Sequence, residues 1–194
     1  MADYREEHHR RGGRVVPWRI VGWGGVAFLL LLPLVTGAPW TLSDFIAAGA
    51  MLGGAGLLVE LAVRASLDPA YRAGAGLAVA AIFLLIWVNG AVGFLGDEDN
   101  PANLVFIGVI AIAALGALLA GFQPLGMARA MFAAAAAQVA VGIAALAAGW
   151  GSPGYAGVYE IVLGTSLFTL LWLTSATLFL KAARDQRHGP RASG

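Results

Sequence analysis

The sequence contains no cysteine and few histidines, and each shortage excludes a class of chemistry. Without cysteine the chain has no disulfide, no thiolate nucleophile and no cysteine-ligated metal centre. Its three histidines, His8, His9 and His188, all lie in polar segments near the two ends. None is therefore placed within an apolar segment to ligate haem or to act as a catalytic base there. We expect no cofactor, no confident metal site and no enzyme activity.

Charge is also scarce. Charged residues make up 12% of the chain against 59% hydrophobic residues, and the mean hydropathy is +0.78. Soluble domains carry about 25% charged residues, and in water this composition would expose larger apolar patches than a soluble monomer tolerates. The composition therefore predicts an integral membrane protein. With a net charge of +1, the chain lacks the positive electrostatic field typical of nucleic-acid-binding proteins, so we expect no nucleic-acid partner.

The hydrophobic residues form six runs, each about long enough for a helix to cross roughly 30 Å of hydrocarbon. A cleavable signal peptide is the alternative for the first run, because a basic segment precedes it. This basic segment is long for a signal peptide, however, and Pro39 lies beside the only small residues that could form a cleavage site. A helix that remains in the mature protein is therefore favoured. The predicted runs are residues 18–36, 45–63, 73–95, 102–122, 127–148 and 158–180.

The basic residues predict an orientation for these runs. With six crossings, all 12 arginines and lysines fall in the two terminal segments, in the second and fourth connections or, for Arg19 and Arg129, at the adjoining edges of runs, and such residues concentrate on the cytoplasmic side. We therefore predict an all-α polytopic protein of the bacterial inner membrane, with six transmembrane helices as three antiparallel hairpins and both termini cytoplasmic. The predicted domains are residues 1–14 as a basic tail, 15–183 as the transmembrane domain and 184–194 as a second basic tail.

An acidic loop separates the third run from the fourth and has two interpretations. Its carboxylate and amide oxygens could hold a hard cation on the outer face. Alternatively, Asn100 is a helix N-cap, followed by proline at the first helical position and preceded by acids that complement the helix dipole. The tripeptide Asn-Pro-Ala at 100–102 also resembles the aquaporin motif. Aquaporins contain this motif twice, however, and this chain has one copy, so we do not predict that fold. The candidate residues are Asp97, Glu98, Asp99, Asn100 and Asn103.

A few polar residues interrupt the hydrophobic runs. Glu60 lies four residues before Arg64, which predicts an ion pair on one helix face; a proton relay is the alternative. Asn89 and Gln138 lie deeper in their runs and should face other helices, because amides bond their own helix less easily than hydroxyls do. They are either interhelical hydrogen-bonding groups or part of a small-solute path with helix-six hydroxyls. The candidate binding residues are Asn89, Gln138, Glu60, Ser166 and Thr169.

Three segments, WVNGAVG at 87–93, DEDNPANL at 97–104 and GMARAM at 126–131, resemble those of a group of small proteobacterial (alphaproteobacterial-type) polytopic inner-membrane proteins without an assigned activity. The resemblance covers most of the membrane part and implies membrane location and bacterial origin. It implies no catalytic or binding residue.

The function predicted from these patterns is an accessory or scaffold subunit of a membrane complex, with a membrane-protein partner or a second copy of the chain. A small-solute or ion channel or transporter is one alternative, using the polar residues within the runs. A lipid-binding membrane protein is another, with the cytoplasmic arginines contacting anionic headgroups of the bilayer.

Overall fold

The computed structural model describes residues 18–188, and within that range the chain is helical with no strand. The six expected helices are present, together with a 3-10 turn at Pro101–Leu104 that leads into the fourth. The helices are α1 Trp18–Thr36, α2 Leu42–Ala65, α3 Pro69–Ala91, α4 Val105–Leu119, α5 Pro124–Ala148 and α6 Tyr155–His188. The chain divides into two compact units, one ending at Gly56 and the other beginning at Leu57, within α2.

Five helical segments are long and apolar enough to cross a membrane: α2, α3, the 3-10 turn with α4, α5 and α6. The apolar stretch of α1, Gly22–Thr36, is shorter. The apolar composition of these helices matches the sequence-based expectation.

In the first unit, the start of α2 is fixed by a reciprocal capping box. The backbone N–H of Thr41 donates to the Asp44 carboxylate over 2.7 Å, and the Asp44 N–H donates back to the Thr41 hydroxyl over 3.4 Å. This is the arrangement in which two otherwise unpaired N–H groups at a helix start are satisfied. Farther along α2, Gly56 lies against the Trp23 ring of α1, where an ideal Cβ would be 3.3 Å from the ring.

The second unit is built around α5 and α6, which make the most extensive contact. α3 packs on α6, and α4 packs on α5. Trp172 and Phe179 of α6 are fully buried and belong to one hydrophobic core with the buried alanines of α5. Leucines and isoleucines cover the outside, so the exterior is apolar as well, as expected for helices surrounded by lipid.

Two helix ends differ most from the sequence-based boundaries. α3 ends at Ala91 rather than near residue 95, because Gly93 adopts a left-handed conformation (φ +74°) that turns the chain and buries Phe94 and Leu95 in the following loop. α6 continues to His188, beyond the predicted end near residue 180. Its last turns are polar, and Lys181 pairs with Asp185 one turn later over 2.7 Å.

Candidate functional site

The acidic loop is held by the side chain of Asn103, which is buried. Its amide oxygen accepts hydrogen bonds from the backbone N–H groups of Phe94 (3.1 Å) and Leu95 (2.8 Å), and its amide nitrogen donates to the Asp97 carbonyl (2.7 Å). Gly93 permits this path, since an ideal Cβ there would lie 2.1 Å from the Asp97 carbonyl. The sequence predicted Asn103 as a possible cation ligand, and it did not predict that this side chain would hold the loop through hydrogen bonds to the backbone.

Asn100 has a second structural role in the same loop. It is the N-cap of the 3-10 turn, where its side-chain oxygen accepts from the Ala102 N–H over 3.0 Å and Pro101 is the first residue of the turn. Its amide nitrogen donates to the carbonyls of Leu95 (2.7 Å) and Trp150 (3.0 Å). The predicted N-cap is therefore present, and it also joins the loop to the connection between α5 and α6.

The three acids of the loop, Asp97, Glu98 and Asp99, are exposed. Within residues 18–188 no group of three or more histidine, cysteine or acidic side chains is arranged to hold a metal ion. The amides of the loop thus form its turn, whereas cation binding by the acids stays a prediction.

Glu60 and Arg64 form the predicted ion pair one turn apart on α2. Glu60 is only 6% exposed, whereas the Arg64 side chain extends outward and is 66% exposed. Nearby, the guanidinium of Arg72 donates to the carbonyls of Ser66 (2.7 Å) and Val63 (2.9 Å). Arginine is well suited to this position, because its planar fork of donors satisfies carbonyls left unpaired at the end of α2.

The other four candidate binding residues lie in different environments. Asn89 of α3 is half-buried, and its amide nitrogen donates to the Leu85 carbonyl of its own helix over 2.6 Å. Gln138 of α5 is fully buried, and Thr169 of α6 is half-buried. Ser166 is exposed on the apolar exterior, so it does not share a buried face with Thr169.

Several buried polar atoms have no hydrogen-bond partner among the described groups. They are the side-chain oxygen of Asn89, both amide atoms of Gln138, the hydroxyls of Thr165 and Thr169, and Nε1 of Trp172. The sequence-based prediction included Thr165 only among the helix-six hydroxyls of a possible solute path, and it did not include Trp172. Their spacing of four and three residues from Thr169 would have placed all three on one helix face.

An apolar cavity of about 550 Å³ lies within the second unit, between the end of α2, the start of α3, the end of α4 and the start of α5. Its walls are side chains of alanine, leucine, valine, isoleucine, methionine, Phe122 and Tyr71. The Tyr71 hydroxyl, the one polar side-chain group of this lining, donates to the Phe122 carbonyl over 2.9 Å. A hydrocarbon ligand therefore suits this cavity, and its volume falls in the range of roughly 300–1,000 Å³ found for ligand pockets.

These features define the class of the protein, an all-helical bundle with an apolar exterior and with apolar helices long enough to cross a membrane. No protein-family model, curated protein or solved structure matches the chain. The resemblance to proteobacterial inner-membrane proteins therefore stays a prediction.

Proposed function

We propose that this protein is an integral membrane protein that binds a lipid, with a hydrocarbon tail of the lipid in the apolar cavity between α2, α3, α4 and α5. The observation that carries the proposal is the cavity itself, about 550 Å³ in volume with an almost entirely apolar lining. Lipid tails are as apolar as this lining, so a tail inside the cavity gains van der Waals contacts rather than burial from water. A chain of methylene groups gains from filling such a space, whereas a polar ligand would lose its hydrogen bonds to water.

The proposal includes an orientation in the membrane: six crossings in three antiparallel hairpins, with both termini in the cytoplasm of a bacterial cell. The charge distribution supports it, because the basic residues of the connections follow the positive-inside rule. In this orientation the cavity lies in the cytoplasmic half of the bilayer. Arg64 and Arg72 belong to the helix ends that line it, where cationic side chains would attract an anionic headgroup.

The roles of accessory subunit and of transporter stay predictions. The apolar exterior would suit a membrane-protein partner as well as lipid, so it favours neither. The cavity favours lipid binding over both.

The test is photolabelling in lipid nanodiscs with a phosphatidylglycerol that carries a diazirine in its acyl chain. We expect labelled peptides from the cavity wall, including Met127 and Met131. An Ala117→Phe substitution should fill the cavity and abolish this labelling, because Ala117 lines it. The matched control is Ala136→Phe, the same change at an exposed alanine of α5. Equal labelling of the cavity wall in wild type and Ala117→Phe would refute the proposal.

A further inference from the structure

The proposed lipid cavity leaves unexplained a group of polar side chains buried between α5 and α6. Gln138 is 0% exposed, and neither its amide oxygen nor its amide nitrogen has a partner among the described residues. Buried polar groups in native proteins are nearly always hydrogen-bonded, and an unpaired amide in an apolar interior is unfavourable. Gln138 therefore points to a ligand rather than to packing alone.

The hydroxyls of four α6 threonines separate into two sets. Thr174 and Thr177 are exposed, and they donate to carbonyls of their own helix, Leu170 (2.7 Å) and Thr174 (2.9 Å) respectively. This is the usual way in which a hydroxyl is satisfied in lipid. The inward-facing Thr165 and Thr169 do not use it, and their buried hydroxyls have no partner within the described chain. Helix α6 thus satisfies the hydroxyls of these two outer threonines and leaves those of Thr165 and Thr169 available, whereas its buried Ser175 is bonded to the Gly74 carbonyl.

Contacts between the two helices bring these groups to one level. Gly142 of α5 lies against Thr165 of α6, where an ideal Cβ would be 2.5 Å from the Thr165 hydroxyl oxygen. The helices run antiparallel, because the connection at 149–154 is short and its Gly151 lies against Gly157 in the first turn of α6. In an antiparallel pair, one turn farther along each helix places Gln138 level with Thr169. At about 1.5 Å per residue, Thr165, Thr169 and Trp172 span only about 10 Å of α6.

The chemistry of these groups defines the ligand. Trp172 Nε1 only donates, the Gln138 oxygen only accepts, and the Gln138 nitrogen and the threonine hydroxyls supply further donors and acceptors. No charged residue occurs in α6 between Glu160 and Lys181, and Arg129 is the one charged residue of α5. An ion would thus lack a counter-charge, whereas a neutral molecule that both donates and accepts hydrogen bonds would satisfy the whole group.

We propose that α5 and α6 enclose a binding site for such a neutral molecule at Gln138, Thr165, Thr169 and Trp172. The ligand is either water or a small neutral solute with hydroxyl or amide groups. The site is independent of the lipid cavity, because none of its four residues lines that cavity.

The first experiment is X-ray radiolytic footprinting of the full chain in nanodiscs of phosphatidylethanolamine and phosphatidylglycerol. Radiolysis of a bound water produces hydroxyl radicals beside the site, so Trp172 should be oxidised several-fold faster than the equally buried Phe179 after correction for the higher intrinsic reactivity of indole. Gln138→Leu should lower this oxidation several-fold. If that variant does not fold, Thr169→Val removes a single hydroxyl at nearly constant shape. The control Thr174→Val makes the same change on the exposed face and should leave Trp172 oxidation unchanged.

The second experiment measures the Tm of the same variants with and without glycerol or urea at low concentration. A rise in Tm of the wild type that Gln138→Leu or Thr169→Val abolishes identifies a small solute as the ligand. Oxidation of Trp172 that depends on Gln138, without such a rise, identifies water. The proposal is wrong if Trp172 is oxidised no faster than Phe179 and no solute-dependent rise occurs. It is equally wrong if Gln138→Leu increases the Tm while Trp172 oxidation is unchanged.

Discussion

Ser175 joins two helices through one buried hydrogen bond, from its hydroxyl to the Gly74 carbonyl over 2.7 Å. Glycine at position 74 suits this close approach, because an ideal Cβ there would be 3.2 Å from the Ser175 carbonyl oxygen, a tight contact. The bond connects α3 to α6 near the buried ring pair of Tyr71 and Phe179, whose centroids are 5.2 Å apart. Neither sequence spacing nor hydropathy predicts it, since the partners are 101 residues apart.

We expect Ser175→Ala to lower the free energy of unfolding by about 1 kcal/mol, the usual magnitude for one interhelical hydrogen bond in a membrane protein. The measurement is a reversible unfolding titration with sodium dodecyl sulfate in mixed micelles. Thr174→Ala is the control, because the Thr174 hydroxyl is exposed and bonds its own helix. An equal loss in both variants would show that the bond to Gly74 contributes nothing specific.

Asn103 stabilises the acidic loop, as Ser175 joins its two helices, through side-chain hydrogen bonds to buried backbone groups. Replacing it with alanine leaves the backbone N–H groups of Phe94 and Leu95 without the acceptor they have now. Unsatisfied buried donors cost about 1–3 kcal/mol each, so we expect Asn103→Ala to destabilise the protein by about 2 kcal/mol or more in the same titration. Asp99→Ala, an exposed change in the same loop, should have little effect. A stable Asn103→Ala would mean that the loop is held elsewhere.

At the residue scale, spacing along the sequence predicted the contacts within one helical turn but not those made through tertiary folding. The Glu60–Arg64 pair and the Asn100 cap were predictable because both partners lie within one turn. The bonds of Asn103 and Ser175 depend on backbone groups that approach through tertiary folding, which spacing does not describe. The apolar cavity has the same origin, since its wall comes from four helices.

Helix α5 owes its central position to small residues. Its buried face is largely alanine, which lets α4 and α6 approach on either side. An ideal Cβ at Gly116 of α4 would be 2.6 Å from the Ala130 Cβ of α5. The alanine-rich composition predicted this close packing. It did not predict the partners, because these helices are apolar on all sides and their sequences do not mark which face is buried.

We expect Gly116→Leu to destabilise the protein by about 1–3 kcal/mol, the typical effect of overpacking a tight contact. The added side chain would push α4 away from Ala130. Gly108→Leu is the matched control on the same helix, since an ideal Cβ there meets nothing within 4 Å. This control should be neutral or slightly stabilising, because glycine disfavours helix. Thermal unfolding followed by circular dichroism measures both variants, and equal Tm values would exclude the proposed contact.

For the whole molecule, hydropathy predicted the six helices found within residues 18–188, five of which are long and apolar enough to cross a membrane. It did not predict the length of α6, whose 34 residues extend about 50 Å at roughly 1.5 Å per residue. That exceeds the roughly 30 Å of hydrocarbon. The polar last turns of α6, with Arg184 and Arg187, would then continue into water on the side where the positive-inside rule places them.

The orientation can be tested directly because the chain has no cysteine of its own. Single cysteines would replace Asp99 in the acidic loop and Arg187 near the end of α6, both of which are exposed. With both termini cytoplasmic, a membrane-impermeant maleimide added to cells with an intact inner membrane should label Asp99→Cys and not Arg187→Cys. Permeabilised cells should label both, which controls for reactivity. Labelling of Arg187→Cys in intact cells would require an odd number of crossings or the opposite orientation, because cationic helix ends are not readily drawn through the bilayer.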